Sequence, residues 1–141
     1  MSVYADSSFV VSLYLTDSHS SDSRRRVPAA PDLWFTPLHQ TEWAHALGQH
    51  VFRKLLSLME ASAIEKQLDR DKAAGVWVPT GIAEGAFHVS AELGRRYGPK
   101  LGVRTLDSLH VACALELQAD RFWTFDDRQR RLAKAVGLNT H

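Results

Sequence analysis

The sequence predicts an α/β fold in which a central, mainly parallel sheet is flanked by helices on both faces, a three-layer sandwich. Two observations carry this reading. Short, almost continuously apolar runs (Val3–Ala5, Leu33–Phe35, Val76–Val78 and Phe122–Phe125) alternate with longer segments of helical spacing. Strands that are apolar on both sides belong to parallel sheets covered on both faces. The 141 residues, 45% of them hydrophobic, suit one domain spanning residues 1–141, and a chain of this length buries roughly two-thirds of its surface on folding.

The elements follow in order. A first strand is expected over Ser2–Ala5, then a helix from Ser7 to Leu15 entered through Asp6, a residue type that caps helix N-termini. Residues 16–32 carry Ser, Asp, Arg and Pro with little apolar content and read as a surface loop or a poorly ordered helix. Leu33–Phe35 gives a second strand, and Thr36-Pro37 supplies its end and the next helix start. Trp43, Leu47, Val51, Leu55 and Leu58 then recur at spacings of four, four, four and three, an amphipathic stripe on a helix that continues through residues 59–74 to Gly75. Val76–Val78 forms a third strand closed by Pro79, and residues 82–97 a helix ending near Gly98-Pro99. From Thr105 a helix places Leu106, Leu109, Cys113 and Leu117 on one face; Arg121–Phe125 is a strand, Asp127–Ala135 a helix, and Leu138–Thr140 a last strand.

Composition excludes several classes. Charged residues make up 23% and the formal net charge is +1, which is neither disordered nor collagen-like. The single Cys113 rules out a disulfide framework and a multi-cysteine zinc ribbon, and an unpaired thiol suits a reducing compartment. No run approaches the ~20 apolar residues of a membrane span, and the N-terminal stretch lacks the basic leader and apolar core of a signal peptide. The expectation is a soluble cytoplasmic protein with no membrane partner. Locally the balance is uneven: residues 121–134 hold Arg121, Arg128, Arg130, Arg131 and Lys134 against Asp126 and Asp127, and Arg24–Arg26 forms a second basic run.

Open α/β sheets bind ligands at the carboxyl ends of their strands, so the acids there matter most. Asp6 ends the first strand, Glu42 lies early in the helix after the second, Asp107 opens the helix from Thr105, and Asp126 ends the fourth strand with Asp127 behind it. Carboxylates converging on one rim repel unless a cation sits among them, and hard oxygen ligands favour Mg²⁺ or Mn²⁺ over zinc. Such a cluster supports metal-assisted displacement at phosphorus. A second reading stays open for each acid, because Asp and Glu also cap helix N-termini and complement the dipole.

The residues around the acids resemble those of PIN-domain ribonucleases, particularly the VapC-type toxins of toxin–antitoxin pairs. The matching stretches are Val3-Tyr4-Ala5-Asp6-Ser7-Ser8-Phe9-Val10, Thr41-Glu42-Trp43-Ala44-His45-Ala46-Leu47, Leu106-Asp107-Ser108-Leu109-His110-Val111-Ala112-Cys113-Ala114, and Phe122-Trp123-Thr124-Phe125-Asp126-Asp127. The third is the most specific, and the four in order cover nearly the whole chain. The resemblance implies a PIN-like fold and an endoribonuclease whose Asp6, Glu42, Asp107 and Asp126 hold Mg²⁺ or Mn²⁺; the Thr-Phe-Asp match favours Asp126 over Asp127. It further implies an RNA substrate, a cognate antitoxin and a homodimer. The second motif carries His45 where many relatives have Asn.

Around this set, Thr124 is a candidate to bond a carboxylate or a phosphate, and Arg128, Arg130 and Arg131 are candidates for phosphate contacts, against a plain solvated helix face. His110, three residues after Asp107, either orients a carboxylate, contacts substrate, or packs between helices with a backbone bond. His39, His45 and His50 lack the i, i+4 helical pair of a zinc site. Cys113, Trp43 and Trp123 read as core, with Trp34 and Trp77 open between core and base stacking. The competing class is a non-catalytic PIN-like module that binds RNA or protein; retention of all four acids argues against it. A phosphoacceptor receiver domain would want paired acids after the first strand and a lysine after a late one, and an aspartyl phosphatase would want Asp where Ser8 stands.

Overall fold

A computed structural model describes residues 1–29 and 32–141. Four strands, β1 (Ser2–Ala5), β2 (Asp32–Phe35), β3 (Trp77–Pro79) and β4 (Arg121–Trp123), form one wholly parallel sheet in the order β3-β2-β1-β4. Helices α1 (Ser7–Tyr14) and α2 (Ser20–Arg26) connect β1 to β2, α3 (Pro37–Phe52) and α4 (Leu58–Ala73) connect β2 to β3, and α5 (Glu84–Leu101) and α6 (Thr105–Glu116) connect β3 to β4, after which α7 (Asp127–Ala135) follows. The chain therefore moves outward from β1 on one side and then returns to its other side. That reversal opens a crevice beyond the carboxyl end of β1, where Asp6 stands.

Alternation along β1 divides the core. Val3 and Ala5 pack with Leu33, Phe35, Trp77 and Trp123 against Phe9, Val10, Trp43, Leu47 and Leu68 of α1, α3 and α4. Tyr4 and Phe122 face the opposite layer, against Ala86, Leu93, Leu109, Val111 and Leu132 of α5, α6 and α7. Tyr4 pairs with Phe122 in register, and their rings stack at 5.7 Å. Burying each large side chain of this kind contributes about 1.5–3 kcal/mol, so apolar residues on both sides of a strand commit it to the centre of the molecule. Trp43, Trp77, Trp123 and Cys113 are core, as is most of α6, buried continuously from Ser108 to Ala114.

Several boundaries differ from the sequence reading, each for a local reason. In the polar 16–32 stretch, Ser20–Arg26 is helix α2, one of the two readings, and Asp32 already belongs to β2: Ser20 donates to the Leu15 carbonyl and Ser23 to that of Ser20, which buries both hydroxyls, while Asp22 pairs with Arg25 and Arg26. Residues 30–31 of the same stretch lie outside the described residues. The long stripe is two helices. α3 ends at Phe52, Lys54 takes a left-handed φ of 60°, and Ser57 with Glu60 forms a capping box that starts α4. Leu55 and Leu58 consequently leave the stripe and stand exposed. At the other end of α4, Gly75 at φ 82° closes a Schellman turn in which Val76 N–H donates to the Asp71 carbonyl and Gly75 N–H to that of Lys72. α5 runs past Gly98-Pro99, with Pro99 inside its last turn, and ends at Gly102 at φ 63°. Leu106 is half exposed rather than on the buried face, β4 stops at Trp123, and residues 138–140 form no strand, although Asn139 accepts from Phe122 N–H at 2.8 Å.

Candidate functional site

The site begins where β1 ends. Asp6 N–H donates to the Trp123 carbonyl at 2.9 Å, so the acid is fixed to the mouth of β4. Its side chain caps α1: Oδ1 accepts from Phe9 N–H at 3.1 Å and from Ser8 Oγ at 2.6 Å, while Oδ2 accepts from Thr124 Oγ1 at 2.7 Å. Thr124 also accepts from Asp126 N–H at 3.0 Å, and Ser8 from Phe125 N–H at 3.2 Å. Two hydroxyls thus join the ends of β1 and β4 through one carboxylate. Asp6 is buried, and no Lys or Arg pairs with it among the described residues. Burial lifts its carboxyl above the ordinary range, opposed by nearby His110 and by the bonds from Ser8, Thr124 and Phe9.

Glu42 enters from α3. Ser7 Oγ donates to its Oε1 at 2.8 Å, and His110 Nε2 of α6 makes a short bond to the same oxygen. Burial pushes the Glu42 carboxyl upward, yet the His110 and Ser7 bonds outweigh it and hold the group below its usual range. On the other side of the ring, His110 Nδ1 meets the Tyr4 hydroxyl at 2.8 Å. This histidine is buried and bonded to side chains, not to the backbone.

His39 secures the same end of the sheet. Thr36 N–H donates to its Nδ1 at 3.0 Å, which places the ring proton on Nε2, and Nε2 donates to the Ala5 carbonyl at 2.6 Å. Burial, reinforced by His110, lowers its pKa to about 3, so it remains a neutral clamp. In the sequence His39 stands out only as a zinc ligand to be excluded; its place three residues after Thr36 is the signal for a capping box.

The other two acids are held differently. Asp107 Oδ2 accepts from Arg104 N–H at 3.2 Å and lies 3.6 Å from Arg104 Nε. Asp126 caps α7 through Gln129 N–H at 2.8 Å. Gln129 also reaches the Asp107 carbonyl with Nε2 at 3.4 Å, and its buried Oε1 has no partner among the described residues. Asp126 is thus joined to Asp6 through Thr124, whereas Asp107 stands one helical turn before His110 with no side-chain bond to the other acids. Asp127 is exposed and paired with Arg130. Arg130 also donates to the Thr124 carbonyl at 2.7 Å, bracing the site from behind, while Arg128 and Arg131 are exposed with no ion pair among the described residues. His45 and His50 bond back to the Thr41 and Ala46 carbonyls. The side chains that sequence reasoning missed are Tyr4, Ser7, Ser8 and Gln129, whose types are ordinary for a strand or a helix start.

In kind, this donor set fits a hard divalent cation. It offers carboxylate oxygens, a buried Asp6 carboxyl that no Lys or Arg pairs with among the described residues, and the Gln129 amide oxygen, which has no partner among them. As they stand, the carboxylates are turned into protein hydrogen bonds, and no three His, Cys, Asp or Glu side chains among the described residues gather at metal-binding spacing. Beside the acids, a groove of about 550 Å³ runs along α3, lined by Glu42, His45, Gln49, His50, Arg53 and Leu106. No helix among the described residues is long and apolar enough to cross a membrane.

Two solved structures share this architecture. Mycobacterium tuberculosis VapC20, a sarcin-ricin loop cleaving toxin, superposes with a TM-score of 0.69 at 14% identity over 97% of this chain and 96% of its own. FitAcB from Neisseria gonorrhoeae does so with a TM-score of 0.71 at 14% identity over 98% of this chain and 95% of its own. No curated protein matches the chain in sequence. The family model of the PIN domain matches residues 3–135, which takes in all four acids and the network around them, and the chain belongs to the PIN domain family.

Proposed function

We propose that this protein is a metal-dependent endoribonuclease that hydrolyses RNA phosphodiester bonds and serves as the toxin of a toxin–antitoxin pair. The observation that carries this reading is the buried Asp6 carboxyl, which no Lys or Arg pairs with among the described residues and which Thr124 Oγ1 joins to the Asp126 backbone N–H, beside the Ser7 that bonds the Glu42–His110 pair. Burying a carboxyl is costly even when it is hydrogen-bonded, so an Asp held in this buried place at a ligand-binding crevice points to chemistry beyond the cap it provides. Membership of the PIN domain family and the shared fold with VapC20 support the same reading.

Asp6, Glu42, Asp107 and Asp126 would hold Mg²⁺ or Mn²⁺. When bound, the ion supplies charge stabilisation at the scissile phosphate and acidifies water. The protein's part is orientation: Thr124 and Ser8 hold Asp6, Ser7 and His110 hold Glu42, and Arg130 fixes the Thr124 backbone. Arg128 and Arg131, free on the outer face of α7, would meet RNA phosphates, and Arg53 in the groove beside Glu42 would extend that track. An antitoxin and a second copy of the chain belong to the proposal as partners. Its support is the exposed apolar tip between α3 and α4, where Phe52 is 86% and Met59 84% accessible, surface of a kind that partners cover.

The test is incubation of the purified protein with total RNA, with and without Mg²⁺ or Mn²⁺, followed by mapping of the new ends. Cleavage that needs the ion and is lost in Asp6→Asn and Asp107→Asn is the expected result. Ion-dependent binding of RNA without cleavage would make this a binding module instead.

A further inference from the structure

We infer that Tyr4 and His110 act together as positioning residues for Glu42, fixing its Oε1 and leaving Oε2 as the oxygen offered to a ligand. The inference rests on the reading of Glu42 as part of the metal centre and goes beyond it in making Tyr4 the support of His110 and Oε2 the oxygen left for a ligand. His110 sits in a stretch of α6 that is otherwise small or apolar and wholly buried, from Ser108 to Ala114. An imidazole there costs free energy unless both nitrogens are bonded, and both are. Nε2 faces a carboxylate, an acceptor, so in the neutral ring Nε2 carries the proton and Nδ1 accepts from the Tyr4 hydroxyl at 2.8 Å.

The His110 ring is held between two aromatic neighbours. It stands edge-on to Tyr4 at 5.7 Å and to His39 at 5.1 Å, each at 67°. The chain of bonds therefore runs from the centre of the sheet through α6 to the acid on α3, and Tyr4, fully buried on β1, has no freedom to drift. At its end, Oε1 receives both His110 Nε2 and Ser7 Oγ, while no donor among the described residues reaches Oε2. A histidine needed only for helix packing would not require a buried phenol to set its tautomer and a serine to share its acceptor.

The test compares wild type with Glu42→Gln, His110→Ala, His110→Gln and Tyr4→Phe by calorimetric titration with Mn²⁺ alone and by the nitrogen shifts of the His110 ring. Supports behind a metal ligand commonly change affinity 10–100-fold when removed, so His110→Ala should weaken Mn²⁺ binding by about tenfold or more. In His110→Gln the amide nitrogen reaches the place of Nε2 and should restore binding to within about threefold of wild type. Wild type should show a single Nε2–H tautomer, and Tyr4→Phe, which removes one oxygen and keeps the core volume, should show a mixture and intermediate affinity. Tyr4→Phe carries the test if His110→Ala fails to fold. Weak binding in Glu42→Gln with wild-type binding in Tyr4→Phe and His110→Ala would overturn the positioning role and leave the site reading standing. Wild-type binding in Glu42→Gln would overturn the site reading itself, and the tautomer pattern in Tyr4→Phe would then decide whether Tyr4 sets His110.

Discussion

The two halves of the acid centre are built on different principles. Asp6 and Glu42 sit where three layers meet and are reached from other elements: Asp6 by Thr124 beyond β4, in addition to Ser8 and Phe9 of the helix it caps, and Glu42 by Ser7 of α1 and His110 of α6. Asp107 and Asp126 are satisfied almost entirely by their own helix starts, through Arg104 N–H and Gln129 N–H. Capping alone accounts for the second half, since Asp at a helix entrance is stabilising in any protein. It does not account for the first: Asp6 caps α1, but it is also buried, and that burial raises its pKa against the bonds that hold it. The carboxylate that costs most to keep is the better indicator of function.

That contrast is testable, beginning with the largest effect. Asp6→Asn should abolish RNA cleavage in Mn²⁺, yet the variant without metal should melt at the wild-type temperature or above, because Asn also caps helices and a buried anion is gone. Asp107→Asn should likewise lose cleavage but leave the melting temperature unchanged, its partly exposed pairing with Arg104 being worth little. Mn²⁺ should raise the melting temperature of wild type more than that of either variant. A metal-free Asp6→Asn protein melting well below wild type would erase the distinction between the halves.

The pH dependence of stability should follow the first half. His39 is held neutral with its pKa lowered to about 3, so the unfolded chain binds the extra proton between pH 6.5 and about 3. Stability should therefore fall as pH drops through that window, by up to about 1.4 kcal/mol per pH unit. Glu42, depressed by His110, adds to the loss below its ordinary range; Asp6, raised by burial, works the other way and gains on acidification. Urea midpoints measured from pH 7 to pH 3 should decline less steeply in His39→Gln than in wild type, and parallel curves would remove the clamp from the account.

Smaller effects belong to the second half. Charge reversal at Arg128 and Arg131 should weaken RNA binding and lower the slope of log affinity against log salt by about 0.7 for each phosphate that is no longer neutralised. Arg130 is left out because it holds the Thr124 carbonyl. An unchanged slope in a filter-binding titration would make this face of α7 plain solvated surface. Smallest of all, Gln129→Leu removes the orphaned Oε1 together with the long Nε2 bond to the Asp107 carbonyl, two opposed effects, and should alter metal-free stability by no more than about 1 kcal/mol. A larger loss would show that the amide is satisfied in solution.

What could be read from the sequence, and what could not, divides along the range of the interactions involved. Apolar runs at Val3–Ala5 and Leu33–Phe35 announce buried parallel strands because the hydrophobic effect depends on local composition, and Asp6, Thr36, Gly75 and Asp126 announce helix boundaries because capping is a contact within one turn. The break at Lys54 is hidden by a stripe that runs on through two exposed leucines. Pro99 misleads in the opposite direction, since Gly98-Pro99 reads as a helix end and lies inside one.

By itself, then, the sequence determined the layer order, the acids at the strand ends and the family resemblance, all of which rest on neighbours a few residues apart. Only the tertiary structure decided that Tyr4 bonds His110 across 106 positions, that Thr124 and Asp6 meet across 118, and that Arg130 turns inward to a backbone carbonyl. These contacts depend on how β1 is placed between β2 and β4 and how α6 lies over it. A polar side chain in a strand or helix looks the same in sequence whether it faces water or a partner from the far end of the chain. Its role is set when packing excludes water and leaves one hydrogen-bond partner within reach.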